Sequence, residues 1–374
     1  MNSAATFIPG LDLSRLFYEE AVAPILEKQF RDIRYAAGRL DGGSEVLGFD
    51  TPRSMDHWWG PSLTIFLCSE DYTPELADEI RGILGNELPV EVHGFPTHMQ
   101  EVNRATGSVF MQSSTQRPIN HMVHVTTARR FFQNYLGTCP LDRPLATADW
   151  LVMPEQHLRT VAAGGVWHDQ PGELTRARQL LRWYPDDIWR YLLKSQWRRI
   201  EQEEAFPGRC AEAGDELGSR VVAARLVREV MHLAFLLERQ YMPYSKWTGT
   251  AFSRLHCAAE LQPPLLGALS ATDWPTRERY LCEAYEKVAR LQNASGLAEP
   301  VEHNVSPFYG RPFLVIHGDR FAAALEKAIH DEDVKRLPAP FGNTTQWADS
   351  TDALYPRWTG RLAGLYAEAE ARER

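Results

Sequence analysis

Few cysteines, no long apolar run and no surplus of positive charge mark this sequence, and each shortage excludes a class of protein. Five cysteines, Cys68, Cys139, Cys210, Cys257 and Cys282, are dispersed over 374 residues with no C-x-x-C spacing. That set excludes a disulfide framework and a zinc–thiolate site and fits reduced thiols. No stretch approaches the ~20 apolar residues that span a bilayer, so no membrane partner is expected. The opening MNSAATFIPGLDLSRLF lacks a basic segment followed by an apolar core, which leaves the cytoplasm as the expected location. A net charge of −9 argues against general nucleic-acid binding, whose affinity rests on neutralising phosphates. Repeats and low-complexity segments are lacking too.

What is present divides the chain. Its length predicts two domains, and the patterning places them at residues 1–150 and 151–374. The first part carries 12 Lys+Arg against 19 Asp+Glu, the second 28 against 30. SLTIFLC (62–68) and HMVHVTT (121–127) read as strands, rich in apolar and β-branched residues. So do IRYAAGRL, which runs into the turn Gly42-Gly43-Ser44, and LPVEVHGF. PELADEIRGILG has Leu76, Ile80 and Leu84 at helical spacing, and 14–30 reads as a helix kinked or split at Pro24. Beyond residue 150 the pattern becomes long helices, including 186–206, 215–241, 275–294 and 319–330. In 215–241, Val222, Leu226, Val230, Leu233 and Leu237 share one face, as in a bundle. The fold class is therefore α+β: a mixed α/β N-terminal domain followed by an α-helical bundle.

The stretch DGGSEVLGFDTPRSMDHWWG (41–60) holds the chemistry-bearing pattern. A glycine-rich turn can present backbone N–H groups to phosphates. Nearby carboxylates can hold magnesium, which bridges to a reacting phosphoryl group. Gly43 and Ser44 supply the turn, and Asp56 follows it at a fixed remove. Trp58 stands two positions after Asp56, where a second acid would share the same face of a strand. An indole offers no hard oxygen and cannot replace that acid. Trp58 and Trp59 could instead stack on a planar ligand, with His57 beside them. Five histidines, His57, His93, His98, His121 and His124, cluster in sequence. On a strand, however, His121 and His124 face opposite sides, against a joint metal site.

These phrases, with QWRRIEQEEAF, GDELGSRVVAARLVREVMHLAFLLERQYMPYSKWTGTAF and RPFLVIHGDRF, resemble the DUF4037 family over roughly residues 13 to 365. The resemblance implies a nucleotidyltransferase-like fold of the DNA polymerase β-like superfamily with a helical C-terminal domain. It implies transfer of a nucleotide from a nucleoside triphosphate, with Mg2+, to a small-molecule hydroxyl or amine. On that pattern Gly43 and Ser44 match the phosphate-binding turn, Asp56 the first metal ligand and Glu91 the acid of a later strand. Trp58 departs from the pattern. Two alternatives stay open: a nucleotide-independent tailoring step in small-molecule biosynthesis on the same fold, and a nucleotide-binding pseudoenzyme.

The helical half supplies cations. Arg190, Lys194 and Arg198 form one stripe, and Arg225, Arg228 and His232 another; such stripes are either solvated faces or anion contacts. Lys246, set among aromatics in PYSKW, is a candidate phosphate contact, as is Arg225. Glu203, with Glu204 beside it, is a candidate general base toward the acceptor.

Overall fold

β-branched and apolar residues at 62–67 build the strand on which the first part of the chain is organised. The computed structural model describes residues 6–103, 108–337 and 340–367. In it a four-stranded mixed sheet contains β1 (Tyr35–Arg39), β2 (Ser62–Leu67), β7 (Met122–Thr127) and β8 (Gly165–Asp169) in the order β7-β2-β1-β8. β1 is antiparallel to both β2 and β8, while β2 and β7 run parallel. Two short antiparallel ribbons lie outside this sheet: β3 (Glu91–Val92) with β4 (Phe95–Pro96), and β5 (Met99–Asn103) with β6 (Ser108–Met111).

Alternation along β2 decides which side carries the core. Leu63, Ile65 and Leu67 pack with Tyr35, Ala37, Val123 and Val125 and with the apolar face of helix α1 (Pro74–Glu87), namely Ala77, Ile80 and Leu84. On the opposite side, Phe66 meets Phe131 of helix α2 (Ala128–Leu136) edge-on at 5.3 Å. Thr64 lies between Gly38 and His124 in register. α2 ends where Gly137 takes φ +80°, a conformation glycine adopts without penalty. At the N-terminal end, helices Gly10–Phe17 and Ala23–Gln29 are joined by a π-turn at Tyr18–Val22. The expected break therefore falls just ahead of Pro24, where a ring lacking an N–H fits the first turn of the second helix.

The chain forms two compact units, one of Met1–Pro144 with His157–Arg182, the other of Leu145–Gln156 with Trp183–Arg374. This differs from the expected division at residue 150. The cause is β8, which the sequence reading left in a boundary region and which pairs with β1. In the second unit α3 (Asp186–Glu203) packs on α4 (Glu216–Leu237) and on α6 (Gly318–Lys327), and α4 packs on α5 (Trp274–Ala294). Trp197 of α3 stacks on Phe321 of α6 at 4.2 Å. Leu226, Val230 and Leu233 are fully buried, as the apolar face of α4 requires. Among the described residues no helix is long and apolar enough to cross a membrane.

Candidate functional site

The loop 40–61 leaves β1 and re-enters the sheet at β2, and the parallel register of β2 and β7 starts β7 at that same end of the sheet. Its first turn is closed by Phe49 N donating to Ser44 O (2.9 Å) and Gly48 N donating to Glu45 O (3.0 Å). Gly43 has φ +142°, a conformation that L side chains rarely adopt. Asp50 then anchors the loop, its Oδ2 accepting from Gly10 N at 2.7 Å and from Trp59 Nε1 at 3.2 Å. Trp59 is consequently a core residue, 2% exposed and packed on Leu13, Phe95 and Phe7.

The next residues face water. Asp56 and His57 are exposed, with carboxylate and imidazole 3.4 Å apart. Trp58 is 46% exposed. Its backbone has φ +62°, costly for a bulky side chain, and its N–H donates to Val109 O of β6 at 3.0 Å. Phe110 of β6 lies 6.2 Å from the His57 ring. The loop thus presents a carboxylate beside an imidazole, and an exposed indole held in a strained turn. An indole kept in water at backbone cost suits stacking on a planar ligand.

Glu91 is exposed on β3, in a ribbon outside the four-stranded sheet, and the parallel neighbour of β2 is β7. Among the described residues no group of three His, Cys, Asp or Glu side chains could hold a metal ion. A magnesium ion carried in by a triphosphate asks for less, one or two carboxylates beside phosphate oxygens and water. Asp56 meets that requirement; Trp58 does not. Three of the other four histidines have partners of their own: His93 meets Glu20 at 3.1 Å, His98 accepts from Asn120 N at 3.0 Å, and His121 accepts from Val123 N at 3.1 Å, while His124 lies on β7 opposite Thr64.

A buried pair that the sequence gave no reason to suspect lies at the root of the loop. Arg39, 5% exposed, donates from Nη2 to Glu45 Oε1 at 2.7 Å, and its Nε stands 3.8 Å from Asp41 Oδ1. Burial works against the Arg39 charge, but Asp41 and Glu45 outweigh it and hold the guanidinium's pKa above its ordinary value. Neither Arg39 Nε nor Asp41 Oδ1 has a hydrogen-bond partner among the described residues.

In the second unit the expected cations are met by acids. Arg190 pairs with Asp187 (2.6 Å), Lys194 with Glu326 (2.9 Å), Arg198 with Glu201 (3.5 Å) and Arg228 with Asp349 (2.8 Å). Glu203 and Arg225, expected as general base and phosphate contact, are brought together as an ion pair of 2.7 Å. Lys246 is exposed, not enclosed by aromatics, and lies 5.0 Å over the Trp247 ring. His232 is buried against Glu155 at 2.9 Å. A cavity of about 320 Å³ in this unit is lined by Arg199, Gln202, Phe341, Trp347, Leu365 and Tyr366.

The fold and loop describe an α+β protein with a helical second unit. Residues 150–248 match the family model described as a domain of unknown function, DUF4037, which supports membership of that family. The match takes in β8, α3 and α4 and leaves the 41–60 loop outside. No curated protein matches the chain.

Proposed function

We propose that the first unit binds a nucleoside triphosphate on the 41–60 loop and transfers its nucleotide to a small-molecule hydroxyl or amine. What supports this reading is one observation: the glycine turn at Gly43 and the exposed Asp56-His57-Trp58 turn share the loop that closes the antiparallel β1–β2 pair. Backbone amides of the turn would meet phosphate oxygens, Trp58 would stack on the base, and His57 would stand ready to accept the acceptor's proton. A magnesium ion bound with the triphosphate would neutralise its oxygens, and Asp56 is the loop side chain that would hold it.

Calorimetric titration of ATP, GTP, CTP and UTP, each with and without magnesium, tests the reading on wild type, Asp56→Ala and Trp58→Ala. Magnesium-dependent binding weakened by both substitutions is the expected result. Absence of binding by every triphosphate would sink it. A second reading, binding without turnover, is favoured by Trp58 standing where a second carboxylate would serve. Pyrophosphate release in the presence of a panel of hydroxyl and amine acceptors separates the two. A nucleotide-independent tailoring step would be selected by turnover with no triphosphate present.

A further inference from the structure

Two glycines make room for one side chain at the root of the 41–60 loop. A Cβ on Gly43 would fall inside the Glu45 carboxylate, and a Cβ on Gly10 would collide with Glu45 Cβ. Glu45 therefore threads between the two and lays its carboxylate against the glycine turn. That carboxylate is an anion seated at the place assigned above to phosphate. Its partner is Arg39, buried and positively charged, with an Nε that no hydrogen bond satisfies. Buried arginine is the side chain best shaped for two-point recognition of phosphate oxygens. Asp41 and Glu45 together leave this small cluster with one excess negative charge while Glu45 stays in place. A phosphate cannot approach Arg39 until that carboxylate leaves.

We propose that Arg39 is the anion-binding residue of the loop and that Glu45 is its internal placeholder, which the terminal phosphate of a triphosphate displaces. The proposal rests on the nucleotide reading and deepens it. Displacement exchanges one carboxylate for one phosphate group on Arg39, so the guanidinium stays paired and the loop gains a ligand without exposing a bare buried charge. It also gives Glu45 the role of a competitor, so that the wild-type protein binds triphosphate less tightly than the same site without the competing charge.

The test uses inorganic tripolyphosphate, which carries the phosphate chain without base or sugar, beside ATP and orthophosphate. Glu45→Gln keeps the shape and removes the charge, and should bind tripolyphosphate about tenfold more tightly than wild type. Glu45→Asp, whose shorter stem draws the carboxylate back from Gly43, should fall between them. Because Glu45→Gln could disturb folding, the wild-type protein supplies a second readout. The Arg39 Nε–H resonance, assigned by its loss in Arg39→Lys, should shift on adding tripolyphosphate and not on adding adenosine. Equal tripolyphosphate affinity in wild type and Glu45→Gln, or an unmoved Arg39 resonance at saturating ATP, would overturn the proposal. With ATP still bound, that outcome leaves the nucleotide reading standing. Tight orthophosphate binding with no added gain from the chain would also overturn it, by making the site one for free phosphate.

Discussion

The two units each bury a carboxylate against its partners, Glu45 in the first and Glu155 in the second, and the two groups differ in how completely their surroundings satisfy them. In the second unit Glu155 is fully buried, and both oxygens are used. Oε1 accepts from Asn343 Nδ2 at 2.7 Å and meets His232 Nε2 at 2.9 Å, while Oε2 accepts from Met242 N at 2.8 Å. Asn343 also donates to Tyr184 Oη at 3.0 Å, and its Oδ1 caps the short helix Thr344–Trp347 by accepting from Gln346 N. Gln346 donates to Gln196, and Gln196 to Glu229. Only His232 Nδ1 in this chain of contacts is left without a partner among the described residues. The network ties residues 343–346 to α3 and α4, and every bond is internal. In the first unit Arg39 Nε and Asp41 Oδ1 face each other at 3.8 Å, and neither has a hydrogen-bond partner among the described residues, beside a glycine turn and an exposed strained tryptophan. Unused polar capacity is costly in a fold and informative about ligands. The contrast marks the second network as internal to the fold, and the first pair is where the binding proposed above would act.

Substitutions should separate these roles. The largest effect belongs to the satisfied network: Glu155→Ala strands its donors and should cost about 3–5 kcal/mol in urea unfolding, without changing affinity for any triphosphate. Glu155 carries a depressed pKa despite burial, because His232, Asn343 and the Met242 amide favour its charge. Its contribution is therefore present above the ordinary carboxylate range and is lost as pH falls below it.

Glu204 works in the opposite direction. It is buried, and burial raises its pKa to about 8 against weak help from backbone amides. Between about pH 4.5 and 8 the unfolded chain has released this proton while the folded chain keeps it, so stability falls as pH rises. From pH 5 to 7 the loss should be roughly 2–3 kcal/mol, and Glu204→Gln should flatten that slope relative to wild type. An unchanged slope in the variant would show that other groups carry it.

Smaller effects on stability should accompany larger ones on binding in the first unit. Trp58→Gly removes a bulky residue from φ +62° and should raise stability by up to about 1 kcal/mol, while weakening nucleotide affinity through the lost ring. Asp56→Ala, at an exposed position, should leave stability within about 0.5 kcal/mol and weaken magnesium-dependent binding about tenfold. If instead Asp56→Ala destabilised the fold as Glu155→Ala does, the contrast between the two units would collapse.

Much of the fold was legible because local patterns carry it. The strand at 62–67, the helix 74–87 and the stop at Gly137 follow from β-branched content, helical periodicity and a left-handed C-cap. β8 was not legible, since Gly165–Asp169 is short, contains a single β-branched residue and owes its place to pairing with β1. LPVEVHGF read as a strand, but His93 and Gly94, both with positive φ, turn it back on itself as a two-residue hairpin. At the site, glycine and carboxylate types pointed to the loop. The exposure of Asp56 and Trp58, and the burial of Trp59, depend on which indole Asp50 captures. The Arg39–Glu45 pair was invisible because it needs Gly10, 35 residues before Glu45, to clear its path. Sequence spacing does not report clearance. The basic stripes were legible only in part: Asp187 and Glu201 lie one turn from Arg190 and Arg198 on the same helix, whereas Glu326, Glu203 and Asp349 reach Lys194, Arg225 and Arg228 from elsewhere in the unit.

The measurement that tests the central claim most directly is hydrogen–deuterium exchange on the full chain with and without magnesium and ATP. The account predicts protection at residues 41–60, with the amides around Asn343 and Glu155 unchanged. Protection confined to the cavity of Phe341, Trp347 and Tyr366, or none in the 41–60 loop at saturating ATP, would contradict it.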